Sequence, residues 1–476
     1  MSYAAAIENL SALIPELFAI PGAPRRKFSL KEIGVLCASL GDPQLSFPSV
    51  LVAGTNGKGS TAATLASVLQ VANIRTGLYT SPHLSRVNER IRLQGLPIAD
   101  EDFAALYFQV DEAANHLVAT GTLPQQPSFF ETVTAVAFLA FATANVQIAV
   151  LEVGLGGRLD ATNIVDPLLS ILTDIDMDHT EWLGPTLSHI AREKAGILCQ
   201  DGVMVTLPQH PEANQVIGEV ATALNVRAIN AADYIPYKSA DPAHPAFRNR
   251  YPLKIAGEQI QIDSPLSGRH QQRNIALAIA AAVEISNSGG YKITPAQIAE
   301  GVRKTEWPAR LELLSRKEVS FRPEARQSRQ EEEEPAVRAH PAILLDVAHN
   351  PAGAWTLRAA INALESDHAL AAATAPDTRK TLLFGCLVDK PAEQLAQILF
   401  PLFDQIILTR VTSPRAADPA ELTAIAATLG AKAKVVDQPR AALEASLAST
   451  PTEGLLVIAG SVYLVGELRP LLVDGN

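Results

Sequence analysis

This chain is short of cysteine and of basic residues, and each shortage excludes something. Its three cysteines, Cys37, Cys199 and Cys386, lie far apart and form no CxxC pair. That excludes a disulfide framework and a thiolate zinc site, and it fits a reducing cytoplasm as the location. Lys and Arg number 39 against 50 Asp and Glu, for a formal charge of −11, and no basic stripe is interleaved with aromatics. Non-specific nucleic-acid binding is therefore not expected, although a local basic pocket for a small anionic substrate is compatible with an acidic protein. The N-terminus carries Glu8 and Glu16 and lacks a basic n-region, so a secretory signal is not expected either. Uncharged runs long enough to span a bilayer are scarce. The one that invites that reading, Thr132 to Leu151, is interrupted by Thr134, Thr143, Asn145 and Gln147. A buried helix over 131–144 turning into a buried strand over 147–153 explains it better than a membrane span.

What is present is an ordinary globular composition, 47% hydrophobic and 19% charged, over 476 residues. That length exceeds one compact core, so two or three domains are expected. Short aliphatic runs alternate with alanine-rich helical stretches. Strands are predicted over 49–53, 76–79, 147–153, 168–173 and 203–206, with a β-like patch over 253–262 and a long helix over 271–285. Such alternation implies a mostly parallel sheet covered on both faces. Ser315 to Pro341, with its run Glu331 to Glu334, has little that could form a core and reads as a solvated, flexible excursion. Strands then resume over 342–347, 381–386, 405–409, 434–436 and 454–459, a second and smaller α/β domain. The expected division is 1–312, a charged linker over 313–341, and 342–476.

The most informative segment is Gly54-Thr55-Asn56-Gly57-Lys58-Gly59-Ser60-Thr61, between the strand at 49–53 and a helix predicted over 62–72. A glycine-rich turn there lets backbone N–H groups close on a polyphosphate. The helix N-terminus adds partial positive charge, Lys58 a full one, and Ser60 or Thr61 a hydroxyl for Mg²⁺. The strict P-loop spacing is not met: two residues rather than four separate Gly54 from Gly57, and Gly59 precedes Ser60.

Other chemistry-bearing residues follow strands, where open α/β sheets place ligands. Ser81, in TSPHL (Thr80–Leu84), is a hydroxyl that could ligate Mg²⁺ or form an ST-turn before Pro82. Glu152 ends an apolar strand, so it is either a metal ligand or the partner of Arg158. His179 follows the strand at 168–173, which is expected to place it on a strand end neighbouring that of Glu152, where the two could share a cation. Lys194 lies in EKAGI (Glu193–Ile197), Arg310 at the domain junction, and Asp346 at a strand end where it could accept ribose hydroxyls or cap a helix.

In order along the chain, these segments resemble the folylpolyglutamate synthase and dihydrofolate synthase family within the Mur ligases. The resemblance runs from Lys27-Phe28 through GTNGKGST, TSPHL, NERIR (Asn88–Arg92), FFET (Phe129–Thr132), EVGLGGRLDATN (Glu152–Asn163), DHTEWLG (Asp178–Gly184) and EKAGI. It continues through SGRHQQRN (Ser267–Asn274), WPARLE (Trp307–Glu312), DVAHNP (Asp346–Pro351), FGCLVDKP (Phe384–Pro391) and Gly460-Ser461. It implies a P-loop α/β ATPase domain with a mostly parallel sheet, followed by a smaller Rossmann-like α/β domain. The implied activity is an ATP-dependent acid–amino-acid ligase. A folate or pteroate carboxylate attacks the γ-phosphorus of ATP, and the amine of L-glutamate then displaces phosphate from the acyl phosphate. Both folate polyglutamylation and dihydrofolate synthesis are expected, with polyglutamylation alone as the alternative.

The resemblance also implies roles. Asn56, Gly57, Lys58, Gly59, Ser60 and Thr61 would hold the ATP phosphates, and Asn274, Arg310 and Asp346 would contact the nucleotide across the domains. Ser81 and Glu152 would hold one Mg²⁺ and Glu152 with His179 a second, with Lys194 carbamoylated into an anionic ligand. Phe130, Glu131, Arg158, Asp160 and Ala161 would line the pterin ligand, and His349 and Ser461 the incoming glutamate. Ala309 stands where the family commonly has glycine. A peptidoglycan Mur ligase is a weaker reading, since only about fifty residues precede the phosphate loop, too few for a nucleotide-sugar domain. A P-loop regulator that ligates nothing is the rival from another class. A monomer acting on small molecules is expected.

Overall fold

The computed structural model describes residues 2–13, 29–237, 247–288, 290–316, 318, 319, 321, 340–366 and 379–473. Lys27-Phe28 and the Glu331–Glu334 run lie outside the described residues.

Eight strands form the first sheet: β1 (Ser49–Ala53), β2 (Thr76–Tyr79), β3 (Ile91–Leu93), β4 (Leu96–Pro97), β5 (Ile148–Glu152), β6 (Pro167–Leu172), β7 (Val203–Thr206) and β8 (Arg227–Asn230). Their order is β4-β3-β2-β5-β1-β6-β7-β8, with the β2–β3 and β3–β4 pairings antiparallel and the rest parallel. The central strands are apolar throughout because both faces are covered. Along β1, Leu51 and Ala53 join the core under the helices Asp100–Ala119 and Phe129–Thr143, while Val50 and Val52 join the core under Lys58–Val71 and Arg269–Ser288. The uncharged run at 132–151 is that buried helix followed by β5, and among the described residues no helix is long and apolar enough to cross a membrane. The β-like patch is a hairpin of β9 (Asn249–Ile255) and β10 (Glu258–Ser264), turned through Ala256 and Gly257, both at positive φ.

The second sheet comprises β11 (Glu312–Leu314), β12 (Ala342–Leu345), β13 (Lys380–Phe384), β14 (Gln405–Leu408), β15 (Ala433–Val435) and β16 (Leu455–Ala459). Its order is β11-β12-β16-β13-β14-β15, parallel except for β11. It therefore begins at Glu312, which pairs with Leu345, and not at 342. The charged stretch also starts out anchored rather than solvated: Val319 and Phe321 are buried in the core on one face of this sheet. Apolar side chains spaced two apart sufficed for that, and the acidic composition of the surrounding sequence hid them.

Candidate active site between the two sheets

The phosphate loop leaves β1 at the middle of the first sheet, between β5 and β6, where the chain crosses to opposite sides. Helix Lys58–Val71 starts inside the loop, four residues earlier than predicted, because Gly57 caps it in a left-handed conformation (φ 87°). Two glycines there are sterically required. A Cβ on Gly54 would lie 1.8 Å from Thr173 Oγ1, and one on Gly57 would lie 2.1 Å from Asn274 Oδ1. Gly57→Ala is thus expected to destabilise the protein by about 1–3 kcal/mol through strain and overpacking, with a lowered melting temperature as the readout. Asp174 holds the loop from outside, its backbone oxygen accepting from Thr55 N at 2.8 Å and Asn56 N at 3.1 Å. Arg273, beside Asn274, clamps the Asp174 carboxylate with two nitrogens.

Lys58 Nζ donates to the carbonyls of Gly54 (3.1 Å) and Thr55 (3.3 Å), folded over its own loop. Lys194 Nζ, fully enclosed, donates to the same Gly54 oxygen at 2.7 Å. Burial, with Lys58 adding to it, pulls the Lys194 amine down to about 7. Ser60 accepts from Gln271 Nε2 at 3.3 Å, whereas Thr61 is fully buried with its hydroxyl on the Asn274 carbonyl. Of the two hydroxyls, Ser60 is the one left for a phosphate-bound cation.

Glu152 is buried at the end of β5, and its Oε2 accepts from Ser81 N at 3.1 Å. Arg158 is not its partner; that guanidinium is exposed and pairs with Glu193 at 2.9 Å. Burial raises the Glu152 carboxyl above its usual range, and Lys58, the Ser81 N–H, Arg310 and Arg90 oppose this without cancelling it. His179 and Glu152 do not sit on neighbouring strands, because β1 lies between β5 and β6. They flank the phosphate loop from opposite sides. His179 adopts φ 50° at the start of a short helix, and burial brings its imidazole down to about 4, leaving it neutral with a lone pair to offer.

The second sheet contributes from its strand ends. Asp346, after β12, accepts from Leu311 N and Ala348 N, both at 2.8 Å, and so fastens the junction segment that carries Arg310. Ala309 and Leu311 on either side of Arg310 both have positive φ, which is why glycine suits position 309. Asn350 Nδ2 reaches Asn56 Oδ1 in the phosphate loop at 3.1 Å. His349 contacts the Val347 carbonyl, and burial takes it to about 4.

Several side chains expected at the substrate are bound up locally. Glu131 closes a capping box with Ser128, and Asp160 is held by Leu155 N, Thr162 N and Thr162 Oγ1. Phe130 is buried, its ring tilted against Tyr79 at 5.9 Å, and Ala161 is buried in the same core. Ser461 Oγ accepts from Tyr463 N at the start of the last helix. Conversely, several residues inside quoted motifs had no role foreseen, Asn350, Gln271 and Arg273 above among them. Lys390 lies 3.9 Å from Asp178 across the crevice. Burial alone would raise Asp178, but His179, Lys390 and His349 hold it below its ordinary value. Trp307 covers Gly59, where a Cβ would fall 2.5 Å from its Cζ2, and stacks with Arg92. Arg90 lies over the Phe129 ring and donates to His83 Nδ1 at 2.9 Å.

The buried carboxylate and the hydroxyl fit a hard cation and no thiolate is among the donors, whereas the neutral imidazole is a borderline ligand that a hard cation takes less readily. Among the described residues no three His, Cys, Asp or Glu side chains gather into a cage, so a cation here would complete its shell with water and phosphate oxygens.

Residues 52–282 match the Mur ligase middle domain, and residues 334–462 match the glutamate ligase domain of Mur ligases. A dihydrofolate synthase/folylpolyglutamate synthase of Bacillus subtilis is 33% identical over 456 residues, covering 94% of this chain and 96% of the relative. The solved folylpolyglutamate synthase of Thermotoga maritima superposes with a TM-score of 0.78 at 31% identity, over 100% of this chain and 97% of that one. The Escherichia coli FolC protein, solved in complex with DHPP and ADP, gives a TM-score of 0.78 at 26% identity, over 100% of this chain and 98% of that one.

Proposed function

From the premise that this chain belongs to the folylpolyglutamate synthase and dihydrofolate synthase family, and is an ATP-dependent ligase, we propose that it joins L-glutamate to tetrahydrofolates and to dihydropteroate through an acyl phosphate. The observation that carries this reading is the closure of the second lobe on the phosphate loop: Asn350 bonds Asn56, Lys390 lies 3.9 Å from Asp178, and Arg310 at the junction acts on the Glu152 carboxylate.

A carboxylate is a poor electrophile at neutral pH, and phosphorylation converts its oxygen into a leaving group. The phosphate-loop N–H groups and Lys58 would hold the transferring phosphoryl, and Arg310 would reach the nucleotide from the junction. Ser60, Ser81, Glu152 and His179 would hold Mg²⁺, at two sites, which when bound would neutralise charge developing on the phosphoryl oxygens. Asn274 and Asp346 would flank the nucleotide, the latter mainly by fixing the backbone at 311. Of the folate-side candidates, Arg158 is exposed and pairs with Glu193, whereas Asp160 and Glu131 cap the backbone of their own turns.

Two amines on one carbonyl oxygen is an unfavourable arrangement when both are charged. Carbamoylation of Lys194 would remove that repulsion, because its neutral form, well populated near pH 7, attacks carbon dioxide through nitrogen and loses one N–H proton to solvent, leaving an anionic carbamate. With ¹³C-bicarbonate, a carbamate resonance is expected in the wild-type protein and not in Lys194→Ala. Equal spectra would refute the modification. The function itself is tested by phosphate release with ATP, Mg²⁺, glutamate and either dihydropteroate or tetrahydrofolate. A ligase releases phosphate only with all components. Release with tetrahydrofolate alone would restrict the activity to polyglutamylation, and release indifferent to both pterins would overturn the reading.

A further inference from the structure

Gly466 lies in the middle of the apolar helix Val462–Val473, where glycine weakens a helix relative to alanine. No ligand candidate accounts for it, but its neighbours do. A Cβ there would stand 1.8 Å from the carbonyl oxygen of Leu84 and 2.7 Å from its carbonyl carbon. Ser85 Oγ donates to the Gly466 carbonyl at 2.8 Å. The Leu84 side chain packs on the cluster that contains Leu464, Val465 and Leu468 of the same helix. Leu84 and Ser85 belong to the first lobe and follow β2; the helix belongs to the second. A first-lobe turn is therefore seated in the second lobe's core, and only a bare Cα admits it.

The turn is internally rigid. The Glu89 carboxylate accepts from Leu84 N, Ser85 N and Arg86 N at 2.7, 3.0 and 2.8 Å. Arg90 ties back twice, through its side chain to His83 and through its carbonyl to Thr80 N at 3.0 Å. At the other end of this closed segment, Ser81 N is bonded to Glu152. A shift of Leu84 is thus carried to Ser81 and Glu152 rather than absorbed between them.

We infer that Gly466 is a positioning residue for ligation: its missing side chain lets the 84–85 turn dock and so fixes where the second lobe stands against the phosphate loop. Its activity readout rests on the ligase reading above; its structural readout does not. The test compares wild type, Gly466→Ala, Ser85→Ala and, as control, Gly218→Ala, a mid-helix glycine with nothing within 4 Å of an added Cβ. Turnover is measured with all substrates saturating. The distance between lobes is measured with spin labels at Glu112→Cys and Lys434→Cys, both exposed, in a Cys199→Ser background.

Gly466→Ala is expected to lower kcat about 100-fold, the scale of a displacement near 1 Å, and to lengthen or broaden the distance. Ser85→Ala should move both readouts in the same direction by less, and Gly218→Ala should match the wild type. Wild-type turnover with wild-type distance in Gly466→Ala overturns the inference. So does lost turnover at an unchanged distance, which would mark a local effect. If Gly466→Ala does not fold, Ser85→Ala decides by the same two readouts. A wild-type protein that releases no substrate-dependent phosphate would sink the ligase reading, while the distances would still decide this one.

Discussion

Lys58→Ala is expected to lower kcat/KM for ATP about a thousandfold while the protein stays folded. A full charge about 4 Å from a phosphoryl oxygen, at an effective dielectric near 20, is worth about 4 kcal/mol, or roughly three decades of rate. Folding should survive because Lys58 is only half-buried and its bonds are to carbonyls of its own loop. The helix start depends on Gly57 and not on this side chain. Phosphate release measured against ATP concentration gives the comparison, with circular dichroism as the check on folding. Turnover within tenfold of wild type would mean that the amine does not face the phosphates.

Glu152→Gln should cost about 100- to 1,000-fold in kcat, the loss typical of removing one preorganised electrostatic group. The amide can still accept the Ser81 N–H through its oxygen, so the loop at 81–90 keeps its anchor and only the charge is lost. A carboxylate with a purely structural role would tolerate the change. The KM for ATP should not rise, because removing a negative charge beside Lys58, Arg310 and Arg90 favours a polyanion. The Mg²⁺ concentration for half-maximal activity should rise instead. A variant within tenfold of wild-type kcat, or one with unchanged Mg²⁺ dependence, would exclude Glu152 from metal binding.

Much of the architecture was legible because its signals are local. The strands at 49–53, 76–79 and 203–206 emerge with the boundaries expected from their apolar runs, and those at 147–153 and 168–173 emerge slightly displaced or shortened at their ends. Those runs lack polar alternation because both faces of the sheet are covered. The phosphate loop was legible for the same kind of reason, since the spacing of its glycines is a backbone requirement written in consecutive residues. Partnerships were harder. Glu152 and Arg158 are six residues apart and a pair is one of two readings open to Glu152, yet Arg158 turns to Glu193. Asp160 and Glu131 look like substrate-facing carboxylates in sequence but accept from N–H and O–H groups within five residues of themselves. Lys390 gains meaning only when β13 brings it opposite Asp178.

By itself, the sequence determined where the central strands of both sheets lie, that a glycine-rich loop of the polyphosphate-binding kind follows the first of them, and which family the chain resembles. Each of these depends on residue types at short, regular spacing. The tertiary structure alone decided that β1 separates the ends bearing Glu152 and His179, that the second sheet begins at Glu312, and that Lys58 and Lys194 share one carbonyl oxygen. It also decided that Gly466 lies against Leu84, 382 residues away along the chain by their numbering. Strand order and lobe docking follow from burying two faces of each sheet at once, a condition on surfaces distant in sequence that no local pattern encodes.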